Sequence, residues 1–206
     1  MKAVAIRAGA AAFCVAAAVI LVLLAIDSRA WSSRFPADDL RYRRDASAPK
    51  LWNIGELSPF GLDRKLLGIK DDLAYRRAFR EFRLGRPLEP VFTTAATTHR
   101  VQAQIALTDV VATPRHATRA SQAANLLGVL GFAMATQDVA QRVTFLNNSI
   151  TAFRQAIALD PTNDDALFNL EYALDQLKGS GEQQAGGSER LGQRGKAGSK
   201  PTGHGY

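Results

Sequence analysis

Hydrophobic and polar positions along this chain fall into distinct regimes. Ala8 to Ile26 carry no charge, and Val19 to Leu24 read VILVLL. As a helix this run spans about 28 Å at about 1.5 Å per residue, close to the hydrocarbon thickness of a bilayer. Lys2 and Arg7 precede it, Asp27 and Arg29 close it, and Trp31 stands where an interfacial aromatic would. Residues 1–30 are therefore expected to form a transmembrane anchor in contact with lipid. The competing reading is a cleaved secretory signal. That reading fits less well, because the run is longer than the usual about 7–15 apolar residues and Ser28-Arg29-Ala30 is a poor small-x-small site. Lys2 and Arg7 on one side nearly balance Arg29, Arg34 and Arg41 on the other, so charge leaves the orientation open. A short N-terminal anchor more often exports the chain beyond it, and the C-terminal part is expected on the extracytoplasmic side of a single-pass protein.

Residues 31–90 read as a juxtamembrane segment. Pro36, Pro49, Pro59, Pro87 and Pro90 are expected to break any long helix there. One amphipathic helix is predicted at 71–84. Asp71 and Asp72 open it, Leu73, Tyr75, Ala78, Phe79 and Phe82 lie near one face, and Gly85 ends it. Its other side carries Arg76, Arg77, Arg80 and Arg83, which fits packing on the downstream domain or a basic face on anionic lipid. The stretch DDLRYRR at 38–44 returns as DDLAYRR at 71–77, a short internal echo.

From 91 to 178 the period becomes helical throughout. A helix at about Ala95 to Val111 aligns Ala103, Leu107 and Val110. A second, Ala120 to Met134, aligns Ala123, Leu127, Leu130 and Met134. A third carries Leu146, Ile150, Phe153 and Ile157 and stops at Asp160-Pro161. Asn163 then caps a fourth, with Asp164 and Asp165 in its first turn and Leu167, Leu170, Leu174 and Leu177 as its stripe. From Gly179 the chain holds nine of its sixteen glycines, and 179–206 is expected to be a disordered tail.

Charge and composition remove several classes of function. The net charge of +7 is not concentrated where the chain is expected to fold, since residues 96–178 carry six basic against seven acidic groups. A nucleic-acid module would gather its cations on the folded face, so no nucleic-acid partner is expected. A single cysteine, Cys14, offers neither a disulfide framework nor a multi-cysteine metal site. His99, His116 and His204 are far apart in sequence, with His99 and His116 expected at exposed helix ends. No glycine-rich phosphate loop follows a strand, and adjacent acids such as Asp164 and Asp165 do not face each other on a helix. No catalytic residue, metal site or cofactor is expected.

Ser149, Phe153, Ala156 and Pro161, with Ala-Leu-Asp-Pro at the helix end, resemble the second helix of a tetratricopeptide repeat. Asp164, Ala166, Leu167, Asn169 and Leu170 then resemble the start of the next repeat, although Glu171 stands where that family prefers glycine. Leu127-Gly128 fits the family's leucine-glycine pair, with a loop near 137–142 longer than standard. The resemblance implies a small tetratricopeptide-like stack of antiparallel helices over 91–178, so that with the N-terminal transmembrane helix and the disordered tail the fold expected is all-α. It also implies a protein-binding groove lined by Asn125, Val129 and Phe132 from one helix and Asp165, Phe168 and Tyr172 from another. The family's carboxylate clamp of Lys and Asn is not recognisable. In layout the chain is similar to small anchored bacterial repeat proteins that accompany von Willebrand factor A-domain proteins and MoxR-type ATPases, which are the implied partners. The function expected from the resemblance is that of a membrane scaffold for protein–protein interaction. The rival expectation is a structural subunit of a membrane complex, assembled through the anchor and the 71–84 helix.

Overall fold

The computed structural model describes residues 2–89, 93–113 and 116–193. Among the described residues seven α-helices run in order: α1 (Lys2–Arg44), α2 (Leu62–Leu66), α3 (Ile69–Gly85), α4 (Thr94–Ala112), α5 (Ala117–Gln137), α6 (Arg142–Leu159) and α7 (Asp164–Gln193). A short 3₁₀ turn, Pro59–Gly61, precedes α2, and no strand occurs among the described residues. The chain divides into two compact units, one holding α1–α3 with α4 as far as Val110, the other running from Val111 through α7. The boundary expected at residue 91 therefore moves into α4, and that helix mostly belongs with the N-terminal unit. Helix α7 continues to Gln193, well past residue 178, while the end of the tail, 194–206, lies outside the described residues.

Helix α1 is 43 residues long, about 65 Å at about 1.5 Å per residue. Its N-terminal half is long and apolar enough to cross a membrane, and its most apolar stretch buries nothing within the protein. Phe13, Val15, Val19, Leu21 and Val22 are all exposed. Contrary to expectation, Pro36 does not end the helix but lies inside it. Proline removes one backbone hydrogen bond and strains the preceding turn. Here the helix on either side of Pro36 is fixed by tertiary contacts, through buried Trp31 before it and buried Asp38 and Tyr42 after it.

Those contacts form a small core that the sequence pattern did not announce. Trp31, Tyr42, Leu51, Trp52, Ile69 and Leu73 pack together, with Phe35, Ala46, Ala48 and Ile54 at the margin. Trp31 is thus a core residue, 2% exposed, and its Nε1–H donates to Asp63 Oδ2 at 2.9 Å. Trp52 adopts a left-handed backbone, φ 50°, unusual for a bulky side chain. Its backbone N–H donates to Asp38 Oδ2 at 2.7 Å and its indole N–H to Asp39 Oδ1 at 2.7 Å, which holds it there.

Three of the four arginines of α3, Arg76, Arg80 and Arg83, turn to α1 and the loop after it, while Arg77 is exposed. Arg76 makes a two-pronged pair with Asp39, both bonds 3.1 Å, and its guanidinium lies 4.5 Å from the centre of the Phe35 ring. Arg80 donates to the carbonyl of Ala46 at 2.8 Å, and Arg83 to those of Tyr42 and Arg43 at 3.3 and 3.2 Å. These are the carbonyls at and just past the end of α1, where cationic donors meet the negative end of the helix dipole. The two copies of the sequence echo therefore meet in space, with Asp39 of the first bonded to Arg76 of the second.

Helix α4 closes against the end of α3. A Cβ on Gly85 would lie 2.9 Å from Arg100 Cγ and 3.0 Å from its backbone nitrogen, so only glycine permits the approach. Arg100 donates to the carbonyls of Gly85 and Arg86 at 2.7 and 3.0 Å. His99 is half-buried, with Nδ1 2.6 Å from Glu81 Oε2, and is not the exposed helix-end residue expected. His116 is exposed and sits at the N-terminal cap of α5.

Candidate functional site

The C-terminal unit is built on close approach between small residues. Phe153 on α6 is 1% exposed because α5 offers Gly128 beneath it: a Cβ there would fall 2.3 Å from a ring carbon. One turn along, a Cβ on Gly131 would lie 2.8 Å from Ser149 Oγ. Ala124, Ala156 and Ala166, all fully buried, bring α5, α6 and α7 together in the same way. The residues that carried the resemblance, Gly128, Ser149, Phe153 and Ala156, thus occupy the contact between α5 and α6.

Polar groups fix the third helix in register. Ser121 Oγ donates to the carbonyl of Ala156 at 2.7 Å and accepts from Asn163 Nδ2 at 2.8 Å. Asn163 Oδ1 accepts the N–H of Ala166 at 3.1 Å, so the predicted cap of α7 also ties that helix to α5. Just before it, Asp160 Oδ1 accepts the N–H and hydroxyl of Thr162 at 3.0 and 2.6 Å. Those bonds hold its carboxyl below the usual carboxylate range.

Of the six positions assigned to a groove, the structure treats Asn125 differently from the rest. It is 8% exposed, and its Oδ1 accepts from Asn169 Nδ2 at 2.9 Å, so its side chain joins α5 to α7 and does not face a ligand. Val129 and Phe132 are half-buried against Ile150, Phe153 and Ala173. Phe132 meets Tyr172 with ring centres 5.4 Å apart. Tyr172 keeps half its surface exposed, and Phe168, one turn earlier on α7, is 69% exposed. Asp165 is exposed on the same face. The structure therefore joins Phe132 and Tyr172 into one aromatic edge, packs Val129 into the same cluster as Phe132, and leaves Phe168 and Asp165 exposed on the first turns of α7.

Two further side chains depart from the expected burial. Met134 (42%) and Leu167 (44%) were expected in the buried stripes of their helices, yet both are exposed. Their positions have the helical period but not the packing partner, which only the crossing of helices supplies. The described residues hold no cluster of histidine, cysteine and acidic groups able to bind a metal. No protein-family model matches the sequence, and neither the curated proteins nor the solved structures yield a match.

Proposed function

We propose that this chain is a bacterial, membrane-anchored, tetratricopeptide-like scaffold that holds a protein partner on the α5–α7 surface of its C-terminal unit. The observation that carries the proposal is Phe168, a large aromatic 69% exposed beside the Phe132–Tyr172 pair. Aromatic anchors of this kind gain most when a partner removes them from water. Asp165 beside Phe168 favours a partner with a cation at that edge.

The anchor reading draws support from the bare apolar half of α1. Retention of the anchor is supported by the contacts of the residues beyond it. Ser28 to Ala30 lie within a continuous helix, between buried Asp27 and buried Trp31. Cleavage after Ala30 would leave the N–H groups of Leu57 and Ser58 without their carboxylate acceptor, Asp27. The C-terminal part of the chain is proposed to lie on the extracytoplasmic side, and an alkaline phosphatase fused at the C-terminus is expected to be active there.

A photo-crosslinking residue at Phe168 or Tyr172, in the full chain in its own membrane, is expected to capture one defined protein. The same residue at Arg154, exposed on α6, is expected to capture none. A von Willebrand factor A-domain protein or a MoxR-type ATPase is the first candidate to probe. Equal labelling from all three positions, or none, rejects the scaffold. The rival role as a structural subunit is weakened because Arg76, Arg80 and Arg83 are committed to α1 and the loop after it, which leaves Arg77 exposed on that basic side without such a contact to α1.

A further inference from the structure

Another bare apolar surface lies where the anchor run ends. Asp27, the first charged residue after Ile26, is 1% exposed. Its carboxylate accepts the backbone N–H groups of Leu57 at 3.0 Å and Ser58 at 2.7 Å. These bonds pin the loop before α2 to α1 at the level of Asp27. One turn later, the Trp31–Asp63 hydrogen bond of 2.9 Å pins α2 itself. Gly61 and Gly68, both with left-handed φ (62° and 70°), turn the chain sharply at the two ends of α2.

The segment held in this way presents leucines outward. Leu57 is 57% exposed, Leu66 68% and Leu67 49%, and Ile26 at the end of the apolar run is 47% exposed. Arg29 and Lys65 are exposed close by in the chain, and Arg64 pairs with Glu56. Leucines beside cations at the end of a spanning helix have the composition of a surface that meets the headgroup–acyl boundary.

We infer that residues 56–67 form a collar seated on the bilayer, with Leu57, Leu66 and Leu67 entering the boundary region and Arg29 and Lys65 facing anionic lipid phosphates. Lipid is the occupant because the surface is continuous with the membrane-crossing run. The uncharged residues stop at Ile26, which sets the boundary near Asp27, and the backbone of Leu57 is bonded to that same residue. The collar adds a second membrane contact to the one that the continuous helix α1 makes. This inference rests on the reading of α1 as membrane-spanning.

The test uses the full chain carrying Cys14→Ser, reconstituted in vesicles of phosphatidylethanolamine and phosphatidylglycerol. Single spin labels are placed through Leu57→Cys, Leu66→Cys, Leu67→Cys, Leu21→Cys and Leu40→Cys. Collision with oxygen, which prefers lipid, is compared with collision with a water-soluble nickel chelate. Leu21 lies within the span. Leu40 is 65% exposed on the same helix and stands about 20 Å beyond Asp27 at about 1.5 Å per residue. The oxygen-to-nickel ratio at 57, 66 and 67 is expected to be several-fold above that at 40 and below that at 21. Buried Trp31 and Trp52 emission reports that each variant is folded. Water-like ratios at 57, 66 and 67 beside a lipid-like ratio at 21 overturn the collar and leave the anchor standing. A water-like ratio at 21 overturns both. A lipid-like ratio at 40 also overturns the collar, since the boundary would not then lie near Asp27.

Discussion

The two units reach order by opposite means. Around α1 and α3, tryptophan and tyrosine are buried beside aspartates, and each aspartate receives hydrogen bonds from distant parts of the chain. Asp38, fully buried, accepts from Arg34 at 2.8 Å, Arg41 at 3.1 Å and the N–H of Trp52 at 2.7 Å. In α5–α7 the contacts come from glycine, alanine and serine, which let backbones approach and leave phenylalanine to fill the gap. Polar bonding fixes geometry in the first unit, because an irregular loop, 45–58, must be held against a helix and its backbone groups need partners. Close packing dominates in the second, where helices satisfy their own backbone groups and a few side-chain bonds, such as Asn163 to Ser121 and Asn169 to Asn125, set the register.

The sharpest way to separate these two modes is to damage each and ask whether the other notices. Phe153→Ala is expected to destabilise the C-terminal unit by about 3–5 kcal/mol. Hydrogen exchange in α5 and α6 should rise steeply, while the emission of Trp31 and Trp52, both in the other unit, stays unchanged. Loss of tryptophan burial in this variant would show that the units do not unfold independently. Asp38→Ala is the converse probe. It leaves the buried N–H of Trp52 without an acceptor, at a cost of about 1–3 kcal/mol. The midpoint of denaturation followed by tryptophan emission should fall, with exchange in α6 unaltered.

Asn163→Ala removes both the cap of α7 and the bond to Ser121, and a loss of about 1 kcal/mol is expected. Faster exchange confined to the first turns of α7 would mark it as a cap; an effect spread over α5 would rank the Ser121 bond above it. The smallest effect concerns pH. The carboxyl of Asp160 is held below its ordinary value of 3.8 by the hydroxyl and N–H of Thr162. A depressed folded-state value stabilises above the ordinary value, and the benefit is lost as pH falls through the folded one. The difference in Tm between the protein and Asp160→Ala should therefore be present at neutral pH and shrink below pH 3.8.

Legibility in the sequence followed the same division. The helices of the C-terminal unit announced themselves through a local period, and their ends through residues that act within one turn, such as Asn163 and Asp160-Pro161. The aromatic edge was legible in part: Phe132, Phe168 and Tyr172 fall on helical faces that could be named in advance. Asn125 shares the face of Phe132, yet its amide is taken up by Asn169, a residue 44 positions away. Periodicity assigns a face but not the partner that covers it.

What the sequence determined by itself was therefore everything governed by short range: an apolar run long enough to cross a membrane, the amphipathic helices, their caps, and the small residues that permit close approach. What only the tertiary structure decided was which groups meet across long stretches of chain. Trp31 meets Asp63 over 32 positions, Arg76 meets Asp39 over 37 and Arg83 meets the carbonyl of Tyr42 over 41. Those meetings carry α1 through Pro36 and commit Arg76 and Arg83 to contacts within the protein. The reason is that a hydrogen bond between distant residues leaves no period in the chain, because its geometry exists only after the elements bearing it have packed.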